Sequence, residues 1–225
     1  VIRTNDYKKM NLHTFLQEQL AAVPVAKANY DKLKQIKTKE FDFGDYKIYV
    51  HFNPARAISS LAKLDAKSIA ERPCFLCAKN RIEGQVAIDF KGKYDICINP
   101  FPICDEHFTV VSKMHEPQNI IGKVRDFIDL AQAYPDFIAL YNGAKSGASA
   151  PDHMHFQLVN KDYFPYTVDT PMPGVVEKVV LISADADALE QQLTAEINKR
   201  QRQGELPASH VNLFCEYKDS QWVVA

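Results

Sequence analysis

No apolar run in the 225 residues approaches the roughly 18 that a membrane-spanning helix needs, so no membrane partner is expected. The opening stretch, VIRTNDYKKMNL, has no signal-peptide core, and its first residue, Val1, reads as the start of a trimmed or recombinant chain. Charge of one sign is lacking as well: 27 Lys and Arg stand against 28 Asp and Glu, a formal net charge of −1. Without a basic field no nucleic-acid partner is expected, although a small anion needs only a local basic pocket. Internal repeats and low-complexity segments are missing. A disulfide framework is missing too, because the cysteines number five, an odd count, and Cys97, Cys104 and Cys215 stand apart among apolar residues. The other two form Cys74-Phe75-Leu76-Cys77. This usage suits a reducing compartment, here the cytoplasm, with the CxxC kept for metal or redox work.

What is present is an ordinary globular composition, 46% hydrophobic and 24% charged. The chain reads as one domain over 1–225 with an N-terminal helical segment to about residue 38, where Pro24 splits or kinks the helix. FDFGDYKIYVHFN alternates on both sides of Gly44-Asp45, a hairpin signal. Residues 53–73 read as a basic loop with one short helix. VAIDF, YDICIN and HFTVVSK follow as strands. The apolar spacing of Ile120, Ile121, Val124, Phe127, Ile128 and Leu130 predicts an amphipathic helix over 117–133. DFIALYN and HMHFQLV are predicted strands, EKVVLIS a weaker one, and 185–201 a helix with Ser183 or Asp185 near its cap. HVNLFCEY and QWVVA close a last hairpin over Lys218-Asp219-Ser220. The sum is an α+β fold built on an antiparallel sheet with packed helices. The chain stops inside a strand-like run, which suggests truncation at the C-terminus.

The most informative stretch is SGASAPDHMHFQLVN, residues 146–160. Side chains alternate across a strand, so His153, His155 and Gln157 share one face, and Met154, Phe156 and Leu158 share the other. The plain interpretation is a half-buried strand with a wet polar side. The alternative is a working row that handles a phosphate. The preceding loop favours the second: Gly143 and Gly147 let backbone N–H groups approach an anion, and Ser146, Ser149 and Lys145 add donors. A neutral imidazole is a competent nucleophile toward phosphorus. Gln157 cannot titrate, but it can hydrogen-bond phosphate oxygens, which suits leaving groups and acceptors that are themselves phosphates.

At these residues the chain resembles the histidine-triad superfamily in its transferase branch, which holds galactose-1-phosphate uridylyltransferase, diadenosine tetraphosphate phosphorylase and GDP-sugar phosphorylases. The resemblance covers roughly Asn53 to Lys161. Its four pieces occur in matching order: NPAR, then RPCFLCAKNR, then INPFPICDEHFTVVSK, then LYNGAKSGASAPDHMHFQLV. It implies a HIT-like sheet, with His155 as nucleophile, His153 beside it in the catalytic strand and Gln157 steadying the transferred phosphate. It further implies that Ser149 and the N–H groups around Gly147 hold the outgoing phosphate, that Asn142 orients the nucleotide or the imidazole, and that Asn53 and Arg56 contact the nucleotide. His107 is expected in the nucleotide wall or the core. The segment SAPDHMH carries one residue more than the family pattern between Ser149 and His153, and the second half-domain of the larger enzymes is not found.

Cys74 and Cys77 are, by themselves, half of a zinc site, a thioredoxin-like redox pair, or two buried thiols. The resemblance implies the first, with a structural zinc held by Cys74, Cys77, His115 and His153, and His107 as competitor for the third place. Elsewhere His13, His51 and His210 read as surface or satisfied residues, Lys63 and Lys67 as a solvated face, and Asn99, Phe101 and Pro102 as a base-binding wall or a strand end. The functional expectation is therefore a nucleotidyltransferase or phosphorylase. It would take a nucleotide sugar or dinucleoside polyphosphate and a phosphate-bearing acceptor through a covalent nucleotidyl-histidine, and a homodimer is compatible with the sequence. The competing readings are a nucleotide hydrolase of the same superfamily and a non-catalytic, zinc-stabilised nucleotide-binding module.

Overall fold

A computed structural model of the chain describes residues 11–53, 65–163, 178–200, 204 and 208–225. The N-terminal helical run divides at its proline. Helix α1 (Leu12–Ala22) begins at Asn11, whose side-chain oxygen accepts from the N–H groups of His13 and Thr14. Helix α2 (Pro24–Asp31) places Pro24 in its first turn, where the missing N–H would have had no partner anyway. Strands β1 (Lys37–Asp42) and β2 (Lys47–Phe52) then pair antiparallel, with Gly44 in the turn at φ 82°. This hairpin is a two-stranded sheet of its own. A short helix α3 (Ala66–Glu71), capped by the Asp65 carboxylate on the Ser68 N–H, leads into the CxxC.

Eight further strands form one sheet. They are β3 (Ile88–Phe90), β4 (Tyr94–Ile98), β5 (His107–Ser112), β6 (Phe137–Asn142), β7 (His155–Asn160), β8 (Leu181–Ser183), β9 (Asn212–Lys218) and β10 (Gln221–Val224). Their order is β3-β4-β5-β7-β6-β9-β10-β8, with every neighbouring pair antiparallel. The turn between β9 and β10 carries Asp219 and Ser220 at φ 50° and 61°, the double left-handed conformation whose twist matches the flanking strands.

The helices explain which face of the sheet is the core. Phe15 and Leu16 of α1, Ala26 and Tyr30 of α2, Phe127 and Leu130 of α4 (Val124–Ala133), and Leu189 and Leu193 of α5 (Ala186–Lys199) all join one apolar cluster. Phe137, Ala139 and Tyr141 of β6, and Phe156 and Leu158 of β7, join it from the sheet. The alternate residues Ile138, Leu140 and Val159 form a second, smaller cluster with Cys104 and Phe214 against it. That partition is the period-two pattern of a sheet with two different faces. A sheet-to-helix hydrogen bond ties the layers together, the Trp222 indole donating to the Ile128 carbonyl at 3.1 Å.

Several boundaries differ from the pattern in the sequence. VAIDF and EKVVLIS shorten to Ile88–Phe90 and Leu181–Ser183, and two further differences bear on the site. The helix expected over 117–133 begins only at Val124. Gly122 takes a left-handed φ of 76°, so Ile120 reaches the core from a turn rather than from a helical face. The strand expected over HMHFQLV pairs only from His155, because His153 is drawn aside toward the two cysteines of the CxxC. The cap of α5 is Asp185, which accepts from the N–H groups of Asp187 and Ala188.

Candidate functional site

The strand order sets β7 between β5 and β6, so the residues at its start lie where three segments meet: the end of β5, the loop after β6 and the CxxC turn. Cys74 and Cys77 are held close by their own turn, the Cys77 N–H donating to the Cys74 carbonyl at 3.3 Å. Against them stand two imidazoles. His153 Nδ1 lies 3.2 Å from Cys74 Sγ and 3.7 Å from Cys77 Sγ, and His115 Nδ1 lies 3.4 Å from Cys77 Sγ and 3.3 Å from His153 Nδ1. A tetrahedral ion with thiolates at about 2.3 Å and imidazole nitrogens at about 2.0–2.1 Å has ligand–ligand edges of roughly 3.3–3.8 Å. These four distances match such edges, and all four ligand atoms lie within 4.8 Å of one another, so the residues suit a small tetrahedral metal in donor type and approximate spacing. The outer shell fits as well, since the far nitrogen of His153 donates to the Ser112 carbonyl at 2.8 Å and so orients its Nδ1 toward the sulfurs. An ion pair between Arg72 and Asp152, 2.5 Å, ties the same two segments beside the cluster.

The row that begins β7 lies on the face opposite the main core. His155 is buried, only 5% exposed. Its Nδ1 lies 2.8 Å from the His153 carbonyl. A carbonyl can only accept, so Nδ1 carries the proton and Nε2 keeps its lone pair. Burial lowers the imidazole's pKa to about 4, outweighing the bond to that carbonyl, and the ring is neutral near pH 7. His153 thus belongs to the Cys/His cluster by its ring and to the row by its main chain.

Gln157, half-buried, is oriented from both sides. His107 accepts the Ile103 N–H on Nδ1 at 3.2 Å, which puts its own proton on Nε2, and Nε2 donates to Gln157 Oε1 at 2.8 Å. The Gln157 amide nitrogen then donates to Asn142 Oδ1 at 3.3 Å. So His107, buried at 1% exposure, sits in the interior and touches the row through Gln157. It is not part of the Cys/His cluster.

The loop between β6 and β7 is shaped by its glycines. At Gly143 a Cβ would stand 2.6 Å from the Ser209 carbonyl oxygen, so only glycine fits there. Gly147 takes φ 91° beside the Asn142 amide. The Gly143 and Lys145 N–H groups donate to Val211 and Ser209, anchoring the loop's first half. Among the described residues nothing accepts from the N–H groups of Gly147, Ala148 or Ser149. Ser149 is half-buried, and the Lys145 side chain is exposed.

The remaining candidates are dispersed. Asn53 is half-buried directly after β2, while Arg56 and Lys63 lie outside the described residues. Lys67 is exposed and faces Glu71 on α3. Asn99 spends its side chain on the Phe101 N–H and the Thr109 hydroxyl. His13 pairs with Glu106, and His51 with Thr38. One site-adjacent residue carried no signal in the sequence. Gln118, fully buried, bonds the main chain of His155 through its side chain. A single glutamine in HEPQN has no periodicity to mark it.

The family model described as domain of unknown function DUF4922 matches residues 15–160, most of the chain. The chain belongs to that family. No curated protein matches it. Among solved structures it is similar to yeast Ap4A phosphorylase Apa2 at 16% identity and a TM-score of 0.57, over 96% of this chain and 81% of that chain. The same yeast enzyme in complex with Ap4A gives 18% identity and a TM-score of 0.51, over 96% and 80%. At such identities the likeness is one of fold, and it bears out the expected α+β, HIT-like architecture of this DUF4922 chain. Among the described residues no helix is long and apolar enough to cross a membrane.

Proposed function

We propose that the chain is a nucleotidyltransferase of the phosphorylase type, working by double displacement through His155. The observation that supports this most is the tautomer of His155, Nδ1–H fixed on the His153 carbonyl and Nε2 left as a neutral lone pair, beside an oriented glutamine amide and a glycine-bearing loop. In the first step Nε2 attacks the α-phosphorus of a dinucleoside polyphosphate or nucleotide sugar. The N–P bond forms, and the bond from phosphorus to the leaving phosphate oxygen breaks. In the second step an oxygen of a phosphate-bearing acceptor attacks the same phosphorus, the N–P bond breaks, and the imidazole is returned neutral. Leaving group and acceptor are both phosphates, so neither step needs a strong acid. Gln157 suits that task, because its amide nitrogen has two N–H groups and Asn142 takes one, leaving the other for a phosphoryl oxygen. The N–H groups of Gly147 to Ser149, from which no described residue accepts, would receive the outgoing phosphate. The similarity in fold to an enzyme solved with Ap4A and with AMP agrees with a nucleotide substrate.

Zinc is the metal this reading assigns to Cys74, Cys77, His115 and His153. Two thiolates and two imidazoles in tetrahedral spacing favour it, and its role would be to bind the CxxC turn to the start of the catalytic strand. The test is incubation with α-labelled nucleotides. Acid-labile, base-stable label that disappears in His155→Ala supports the reading, and no labelling by any nucleotide overturns it. Product analysis with and without inorganic phosphate then separates phosphorolysis from hydrolysis.

A further inference from the structure

β6 and β7 part company between Gln157 and His155, one rung short of His155. Their ladder runs from Phe137↔Asn160 to Leu140↔Gln157 and stops. Continued in register, it would bring Tyr141 opposite Phe156 and then, as its next hydrogen-bonded rung, Asn142 opposite His155. On the other side of β7 the ladder does reach His155, which lies opposite Val111 of β5. In an antiparallel sheet the N–H and C=O of one residue point to the same neighbour, and those of His155 point toward β6. They do not meet Asn142. The His155 N–H donates to Gln118 Oε1 at 2.8 Å, and the His155 carbonyl accepts from Gln118 Nε2 at 3.0 Å. The same Nε2 donates to the Asn142 carbonyl at 2.8 Å. One side-chain amide therefore stands where a rung of the ladder would be, with both of its polar atoms engaged and none of its surface exposed.

The segment that carries Gln118 is itself laid against the chain leading to His155. The Met154 N–H donates to the Glu116 carbonyl at 2.8 Å, and the Gln118 N–H donates to the Pro151 carbonyl at 3.0 Å. Three residues before Gln118, His115 reaches the Cys/His cluster. The separation of the two strands opens the loop that supplies Gly147 and Ser149, and the amide spans the gap with fixed geometry.

We infer that Gln118 is a positioning residue for the nucleophile, one that acts by clamping the main chain of His155, and so the height of its ring, relative to Asn142 and Gln157. This rests on the nucleotidyltransferase reading. The Gln118 side chain hydrogen-bonds main-chain groups of His155 and Asn142, not the imidazole. Its contribution is to the alignment of attack, where an error of about 1 Å costs on the order of 100-fold in rate.

The experiment compares wild type with Gln118→Leu, which removes both polar atoms, and Gln118→Glu, which keeps the acceptor for the His155 N–H. Single-turnover labelling of His155 by an α-labelled dinucleoside tetraphosphate is measured over a range of concentrations. In Gln118→Leu the rate at saturation is expected to fall about 100-fold, while the half-saturating concentration moves by less than about threefold and metal content is unchanged. Gln118→Glu is expected to recover part of the rate, and it decides the matter should Gln118→Leu not fold. An unchanged rate in a folded variant, or equal losses of rate, affinity and metal content, overturns the inference. Should wild type accept no label, the enzyme reading falls while the clamp is still decided by amide hydrogen exchange. Exchange at the His155 N–H at least about tenfold faster in the variant than in wild type supports the clamp, and equal exchange refutes it.

Discussion

The imidazole of His155 donates its Nδ1 proton to the carbonyl of His153, two residues back in the same chain, at 2.8 Å. The tautomer of His155, the proposed nucleophile, is thus set by the residue whose own ring faces Cys74 and Cys77. In the proposed double displacement, replacing His155 with Ala removes the attacking nitrogen outright. Nucleotide labelling and turnover are expected to fall by at least about 1,000-fold, as for other essential nucleophiles. A stopped-time labelling assay measures it, and nucleotide affinity by calorimetry is expected to stay within about threefold.

The Cys/His cluster predicts one tightly held metal ion per chain. Purified protein analysed by elemental mass spectrometry is expected to carry zinc in that ratio. Cys74→Ser or Cys77→Ser should lose it, because a hydroxyl does not replace a thiolate ligand. Folding and binding are coupled at such sites, so chelator treatment or either variant should lower the Tm by more than about 5 °C. Full retention of metal by both variants would place the ion elsewhere.

Gln157 is held by two hydrogen bonds, accepting from His107 and donating to Asn142. In Gln157→Glu the isosteric side chain loses its N–H groups and gains a negative charge where the proposed mechanism has it meet a phosphoryl oxygen. Transfer is expected to fall on the order of 100-fold, the scale seen when one donor to a developing charge is removed. Thermal unfolding checks that the fold is retained, and kcat/KM for phosphorolysis provides the measure.

The outline of this arrangement was readable from alternation alone. Phe156 and Leu158 lie in the main core while Gln157 lies between them on the other face, and the hairpins around Gly44 and Asp219-Ser220 stand where turn chemistry puts them. What alternation cannot show is contact between distant segments. That Cys74 meets His153 was implied only by resemblance, and that Gln118 fills a broken rung had no local signal, since a lone buried glutamine looks like any loop residue. The helix over 117–133 was overextended for a related reason. Apolar spacing reports which residues face the core, and Ile120 faces it from a turn.

A last expectation concerns stability rather than chemistry. Asp126 of α4 is buried, which by itself raises its pKa, yet the Lys91 and Lys93 ammonium groups that bond it outweigh burial and hold the carboxyl below its ordinary value. The Tyr94 hydroxyl donates to it as well, at 3.1 Å. A carboxylate whose folded pKa lies below its unfolded value of about 3.9 stabilises the fold fully above that value. The contribution fades as pH falls from about 5 through the lower, folded pKa, where the native state must also take up the proton. Asp126→Asn should therefore destabilise by about 1–3 kcal/mol at pH 7, the cost of a buried charge-assisted bond lost. The difference between variant and wild type should shrink steadily below about pH 4. Denaturant unfolding at a series of pH values measures both, and a difference that stayed constant down to pH 3 would mean the Asp126 carboxylate is not ion-paired in the folded state.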